Sequence, residues 1–237
     1  MRRPELTGKV ALVTGASRGI GRAIALALAG QGAGIILAAR SAPDLEAVAA
    51  EIDSRGGRAL VAPCDVRRVG EVKRTMDAAL AEYGRLDILV NNAGVAFRRP
   101  LVETSEAEFD LTLEVNLKGT FLCCRQAVPV MEPGGVIVNI SSGAGKQGFP
   151  ELAAYCASKF ALIGLTESLA AELTQQAIRV YAVCPGSTDT RMWHSLYPGE
   201  EPDLRPEHVA RRVVELCLPG TPTPTGASVE VYEPFKL

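Results

Sequence analysis

The chain has 237 residues, of which 47% are hydrophobic and 22% charged, with a formal net charge of −2. This composition is that of a globular protein, and without a basic excess it does not read as a nucleic-acid binder. The six cysteines (Cys64, Cys123, Cys124, Cys156, Cys184 and Cys217) form no C-x-x-C pair, and with His194 and His208 they offer no zinc-site spacing, so no metal is expected.

No apolar run reaches the length of a membrane span. Arg2-Arg3 is followed by Pro4-Glu5-Leu6-Thr7-Gly8-Lys9 rather than the apolar region of a twin-arginine signal. The cysteines sit in apolar stretches and read as reduced core residues, so a cytoplasmic protein is expected. Lys236-Leu237 is open to two readings, a vector remnant or native sequence.

Short aliphatic runs predict strands at Val10–Val13, Ile35–Ala38, Ala59–Ala62, Ile88–Val90, Val136–Ile140, Val180–Val183 and Val229–Tyr232. Amphipathic patterns between them predict helices at Ile20–Ala29, Leu45–Arg55, Glu71–Tyr83, Glu106–Val130 and Ala154–Leu173. Ser105 and Glu108 have the spacing of a capping box opening the helix that carries Asn116. Strands alternating with helices imply βαβ units. The strands are apolar throughout, as in sheets covered on both faces. The expected fold is therefore α/β: one domain over 1–237, a doubly wound parallel sheet of about seven strands. Pro185 to Pro206 reads as irregular, and Thr221 to Gly226 as a second, stiff loop.

The first strand runs into Thr14-Gly15-Ala16-Ser17-Arg18-Gly19-Ile20-Gly21 and then a helix. Gly15 permits a tight turn, and Gly19 and Gly21 let the backbone approach a pyrophosphate at the helix N-terminus. The second strand ends at Ala38-Ala39-Arg40, with no carboxylate at Ala39 for a ribose 2′-hydroxyl. Arg18 and Arg40 are two guanidinium groups able to clamp a 2′-phosphate. Further on, Tyr155 and Lys159 are spaced i, i+4 and share one helix face.

The glycine spacing, Asn91-Asn92-Ala93-Gly94 after the fourth strand and Tyr155-x-x-x-Lys159 come in the order found in short-chain dehydrogenases/reductases. The chain resembles that family, in particular its 3-oxoacyl-carrier-protein reductase-like members, over residues 8 to about 232. The resemblance implies a Rossmann fold and hydride transfer between NADP(H) and a small-molecule carbonyl/alcohol pair. It implies a tetrad of Asn116, Ser142, Tyr155 and Lys159. Tyr155 would exchange the proton, with its pKa lowered by Lys159. Ser142 would orient the substrate oxygen, Lys159 would also contact the nicotinamide ribose, and Asn116 would hold a water linking Lys159 to solvent.

By the same resemblance, Ser17 and Ile20 belong to the cofactor loop, and Asp65, followed by Val66, meets the adenine. Asn92, Ala93 and Gly94 pass close to the adenosine ribose. Pro185, Gly186, Thr188 and Thr190 meet the nicotinamide side, although Thr188 stands where the family has an aliphatic residue. Residues 187–205 would form the substrate lid, with Trp193, His194 and Tyr197 either lining it or packing it down. Arg98, Arg99 and Lys146 fall near the expected cleft mouth. Thr225-Gly226 lacks the glycine pair that often follows, which favours dimerisation through Glu106–Val130 and Ala154–Leu173; homodimer and homotetramer both stay open. The rival readings are a sensor or scaffold that binds NADP(H) without turnover, and an epimerase or dehydratase of the same family.

Overall fold

The computed structural model describes residues 5–232. Arg2-Arg3 and Lys236-Leu237 lie outside them. Seven strands form one parallel sheet: β1 (Val10–Thr14), β2 (Gly34–Ala39), β3 (Arg58–Pro63), β4 (Leu86–Asn91), β5 (Met131–Ile140), β6 (Arg179–Pro185) and β7 (Ser228–Val231). Their order is β3-β2-β1-β4-β5-β6-β7, a doubly wound parallel sheet as expected. The order reverses between β1 and β4, which pair in register at Leu12↔Leu89, and this switch point opens a crevice at the strands' carboxyl ends.

Helices cover both faces. One core layer joins β-strand side chains to α1 (Gly19–Gly30), α2 (Ala42–Ser54) and α8 (Pro206–Cys217). The other joins them to α3 (Val69–Tyr83), α5 (Gly119–Ala127) and α6 (Ala153–Glu172). All six cysteines are unpaired and buried. Among the described residues no helix is long and apolar enough to cross a membrane.

Two features differ from the sequence expectation. The long helix predicted over 106–130 is divided into α4 (Glu106–Leu113), a π-helical turn at Glu114–Lys118 and α5, ending in a 3₁₀ turn at Val128–Val130. Its start is as expected: the Ser105 and Glu108 capping box is formed. The second difference is α8, which begins on the proline that closed the predicted irregular region. A first-turn proline loses no helical hydrogen bond. Val209, Ala210, Val213, Val214 and Cys217 then bury one face. The Thr221–Gly226 loop is tied to β6: the Thr225 hydroxyl accepts from Val180 N, and the Tyr181 hydroxyl donates to Thr223 O.

Candidate active site

A cleft of ≈ 1060 Å³ opens at the switch point, running from Arg40 and Asp65 to Tyr155 and Trp193. At its centre the turn after β1 and the first turn of α1 nearly touch. A Cβ on Gly21 would lie 2.2 Å from the Gly15 carbonyl oxygen and 2.4 Å from Asn92 Nδ2. Gly15 itself has φ 64, the left-handed region. Cross-bracing fixes this approach. Asn92 Nδ2 donates to the carbonyls of Thr14 (2.9 Å) and Gly15 (3.2 Å). The Thr14 hydroxyl accepts from the backbone N–H groups of Asn92 and Ala93. Thr14 went unassigned at the sequence level, though it opens the glycine motif. No side chain caps α1 at Arg18, so its first N–H groups face the cleft without a side-chain partner.

Ser17, Arg18, Ile20 and Arg40 line the same end. Both arginines are exposed. The cleft continues past Asp65 and Val66, but the Asp65 carboxylate is already engaged. Arg67 Nε and Nη2 donate to it, the latter at 2.6 Å, and Arg67 N adds a backbone bond at 3.1 Å. The hydrogen bond from Arg67 is the main reason the Asp65 pKa is lowered, and Arg40 contributes in the same direction. A carboxylate has about four acceptor sites, and Arg67 already occupies most of those on Asp65. Arg67 carried no signal in the sequence beyond its charge.

At the other end, Ser142, Tyr155 and Lys159 meet, with Asn116 behind them. The π-helical turn buries Asn116 completely. Its Oδ1 accepts from Val95 N at 2.8 Å, and its Nδ2 donates to Val95 O (2.9 Å) and Ser158 Oγ (3.0 Å). Both N–H donors are spent on protein, and the residue positions the 92–95 loop against α6. A π-helical turn inside an α-helix frequently marks a functional site, and here it points Asn116 at this junction.

Lys159 is buried, and its Nζ donates to Ile140 O at 2.8 Å. Burial draws its pKa down to about 8. Nζ lies 5.5 Å from the Tyr155 ring centroid. Tyr155 does not show the expected lowering: burial pushes its phenol up to about 12, with Ser142 pulling the other way. In the protein itself desolvation outweighs the Ser142 hydrogen bond.

Pro185, Gly186, Thr188 and Thr190 line the cleft. Thr188 is buried, and its hydroxyl donates to Gly186 O at 3.0 Å. Threonine therefore stands at the family's aliphatic position without exposing an unpaired polar group. Thr190 caps α7 (Arg191–Leu196) by accepting from Trp193 N, and its methyl stands beside Gly19. The 187–205 segment closes on itself: Thr188 bridges Leu204, Leu204 N donates to Ser187 O, and the Ser187 hydroxyl donates to Asp203 Oδ2 at 2.5 Å.

Trp193 and Tyr197 stack at 4.4 Å, whereas His194 points outward and pairs with Asp189. Arg98 pairs with Glu151 at 2.7 Å, Arg99 lies 3.6 Å from Glu108, and Lys146 donates to Ser228. Tyr232, read as the end of a strand, lies just past β7, against Gly143 and Gly186 at the cleft wall. Among the described residues no group of potential ligands is placed to hold a metal ion.

The sequence profile of the family described as short chain dehydrogenase matches residues 9–201. The chain belongs to this family of oxidoreductases, which act on alcohol and carbonyl groups. It is 43% identical over 200 residues to a D-threitol dehydrogenase of Mycolicibacterium smegmatis, covering 84% of this chain and 77% of that protein. It is 40% identical over 194 residues to a 3-oxoacyl-[acyl-carrier-protein] reductase of Synechocystis sp., covering 81% and 78%. A short chain dehydrogenase from Burkholderia cenocepacia J2315, solved in complex with NADP, superposes with a TM-score of 0.89 at 34% identity, covering 96% of this chain and 98% of that one.

Proposed function

We propose that this protein is an NADP(H)-dependent ketoreductase with Tyr155 as its proton donor. The observation that carries the proposal is the convergence of Ser142, Tyr155 and Lys159 on the chemical end of a cleft whose opposite end holds two unpaired guanidinium groups. Among the described residues, neither the Arg18 nor the Arg40 guanidinium forms a salt bridge, and both are exposed at the cleft, where they can meet a 2′-phosphate. The NADP complex of the Burkholderia protein supports the same cofactor.

The residues present fit a dinucleotide. The approach of Gly21 to Gly15 leaves a cradle that any side chain at either position would fill. The glycine turn and the start of α1 would hold the pyrophosphate, Asn92, Ala93 and Gly94 the adenosine ribose, Lys159 the nicotinamide ribose, and the backbone at Gly186 and Thr188 the nicotinamide. When bound, NADPH supplies the hydride that converts the carbonyl to an alkoxide.

Ser142 holds the substrate oxygen, and Tyr155 gives that oxygen its proton. Phenol at about 12 remains the stronger acid toward an alkoxide, whose conjugate acid lies near that of water, at roughly 16. The transfer from phenol to alkoxide runs downhill. Lys159, close to 8, restores the proton to Tyr155.

The partner in this reading is a small carbonyl or alcohol, and the chain works as a homo-oligomer. Phe109, Phe121 and Phe160 are 42%, 45% and 46% exposed on α4, α5 and α6, the helices expected to form a dimer. Six unpaired buried cysteines fit a reducing, cytoplasmic setting. Tyr155→Phe tests the assignment. Turnover should fall by about 10³-fold or more while NADPH affinity stays within about twofold. Retained turnover in the variant overturns the assignment.

A further inference from the structure

We propose that Ser141 is a positioning residue for Lys159: its hydroxyl fixes the lysine's backbone so that the amine stays aimed at Tyr155. This rests on the ketoreductase reading and deepens it. Ser141 is buried, and its hydroxyl donates to Lys159 O at 2.9 Å. In the opposite sense, Lys159 Nζ donates to Ile140 O at 2.8 Å. Consecutive residues at the end of β5 therefore hold the two ends of one lysine, Ile140 at the amine and Ser141 at the backbone.

The double hold matters because a lysine stem is long and flexible, so a bond at Nζ alone does not fix where its backbone sits. The clamp is anchored on the sheet, where Ser141 N donates to Val183 O of β6 at 2.7 Å. A helical carbonyl keeps a second lone pair, so Lys159 O accepts from Ser141 without breaking α6. The 3₁₀ turn at Gly143–Gly145 is shaped around the same bond. A Cβ on Gly145 would lie 2.5 Å from Ser141 Oγ and 2.7 Å from Lys159 O. The end of β5, this turn and α6 thus meet at one hydroxyl, next in the chain to Ser142.

Without this hydroxyl, Nζ keeps its bond to Ile140 O, but the helix turn carrying Tyr155 and Lys159 can shift against the end of β5. In the reaction proposed above, the hydride moves before Lys159 returns a proton to Tyr155. A displaced amine therefore slows chiefly the later, proton-moving step. A second buried hydroxyl on the same helix offers a comparison. Thr166 donates to Leu162 O at 2.7 Å and accepts from Asn139 Nδ2 at 2.9 Å. It too ties β5 to α6, but roughly two turns beyond Lys159.

The test uses the full chain with NADPH and whichever of ethyl acetoacetate, 2-tetralone, acetoacetyl-coenzyme A and erythrulose is reduced fastest. In Ser141→Ala, kcat should fall by about 10- to 100-fold, with KM for the ketone within about twofold. The solvent deuterium isotope effect on kcat should rise, and the effect of deuterium at C4 of NADPH should fall toward unity. Gly145→Ala keeps the hydroxyl but forces it away from Lys159 O, and should give the same signature; it carries the test if Ser141→Ala does not fold. Thr166→Ala should leave both isotope effects at the wild-type values, whatever it does to stability. Wild-type kcat in Ser141→Ala, a loss of kcat with unchanged isotope effects, or the same signature in Thr166→Ala overturns the inference and leaves the reductase standing. No reduction of any of the four ketones by the wild type removes both readings together.

Discussion

Gly21 and Gly30 open and close the same helix, and alanine should act on them with opposite sign. At Gly21 the new methyl would stand 2.2 Å from a carbonyl oxygen and 2.4 Å from an amide nitrogen that braces two strands. Ordinary carbon–oxygen contacts start near about 3.3 Å, so the turn and α1 must part by about 1 Å. Such overpacking costs about 1–3 kcal/mol. In a chain of this size that lowers Tm by about 2–12 °C. A misplacement of about 1 Å in a cofactor cradle also costs about 10²-fold in turnover.

At Gly30 a Cβ would meet nothing within 4 Å. Alanine there should stabilise by roughly 0.5–1 kcal/mol and raise Tm by about 1–4 °C. Circular-dichroism melts of both variants, with NADPH titrations followed by energy transfer from Trp193, measure the pair. A Gly21→Ala protein that melts with the wild type and turns over normally would refute the claim that this close approach builds the cofactor site.

Arg40→Asp should weaken NADPH by about tenfold or more while leaving NADH nearly unaffected, because the loss of one positive charge and gain of a negative one bear on the 2′-phosphate alone. Parallel titrations check this, and an unchanged NADPH/NADH ratio counts against it. Asp87 is the basis of an acid-stability prediction. Burial, the largest influence, pushes its pKa up, but bonds from Arg85, Lys9 and Val10 N outweigh it, and the net shift is downward. Its contribution is therefore complete above the ordinary carboxylate value near ~4 and is lost as pH falls through the lower folded value. Urea melts at pH 7 and pH 3 should show a smaller pH dependence in Asp87→Asn than in the wild type; equal dependence would mean Asp87 is not coupled to folding.

Strands such as β1, β2, β4 and β6 were readable because each is a short, mostly aliphatic run buried along nearly its whole length, and a residue such as Ile36 has no other place to go. Helix α8 carries as clear a pattern in Val209, Val213 and Cys217, but Pro206 masked it by resembling the end of a loop. The π-helical turn was hidden because one extra residue per turn leaves no mark in hydrophobic periodicity over so short a stretch. Apart from Gly21 and the buried Asn116, the residues singled out by the motifs line one cleft, since motif spacing fixes which strand end each occupies. What spacing does not carry is the bonding state. Asn116 had donors to offer on paper, yet Val95 and Ser158 take them. Asp65 likewise had a free carboxylate until Arg67 folded back onto it. A phenol's pKa belongs to its depth in the protein, which no i, i+4 pair reveals.

The bonds joining Ser187 and Thr188 to Asp203 and Leu204 bring the two ends of the intervening segment to one point. The chain between them is a cassette. Its length and side chains can be exchanged while β6 and α8 keep their positions, because loop closure costs grow only slowly with length. The Ser142, Tyr155 and Lys159 side of the cleft sits on the sheet side of that clasp, and Trp193 and Tyr197 sit beyond it. Grafting a different 191–202 segment, with Thr190 kept against Gly19, would therefore change the lid and leave the glycine turn as it is.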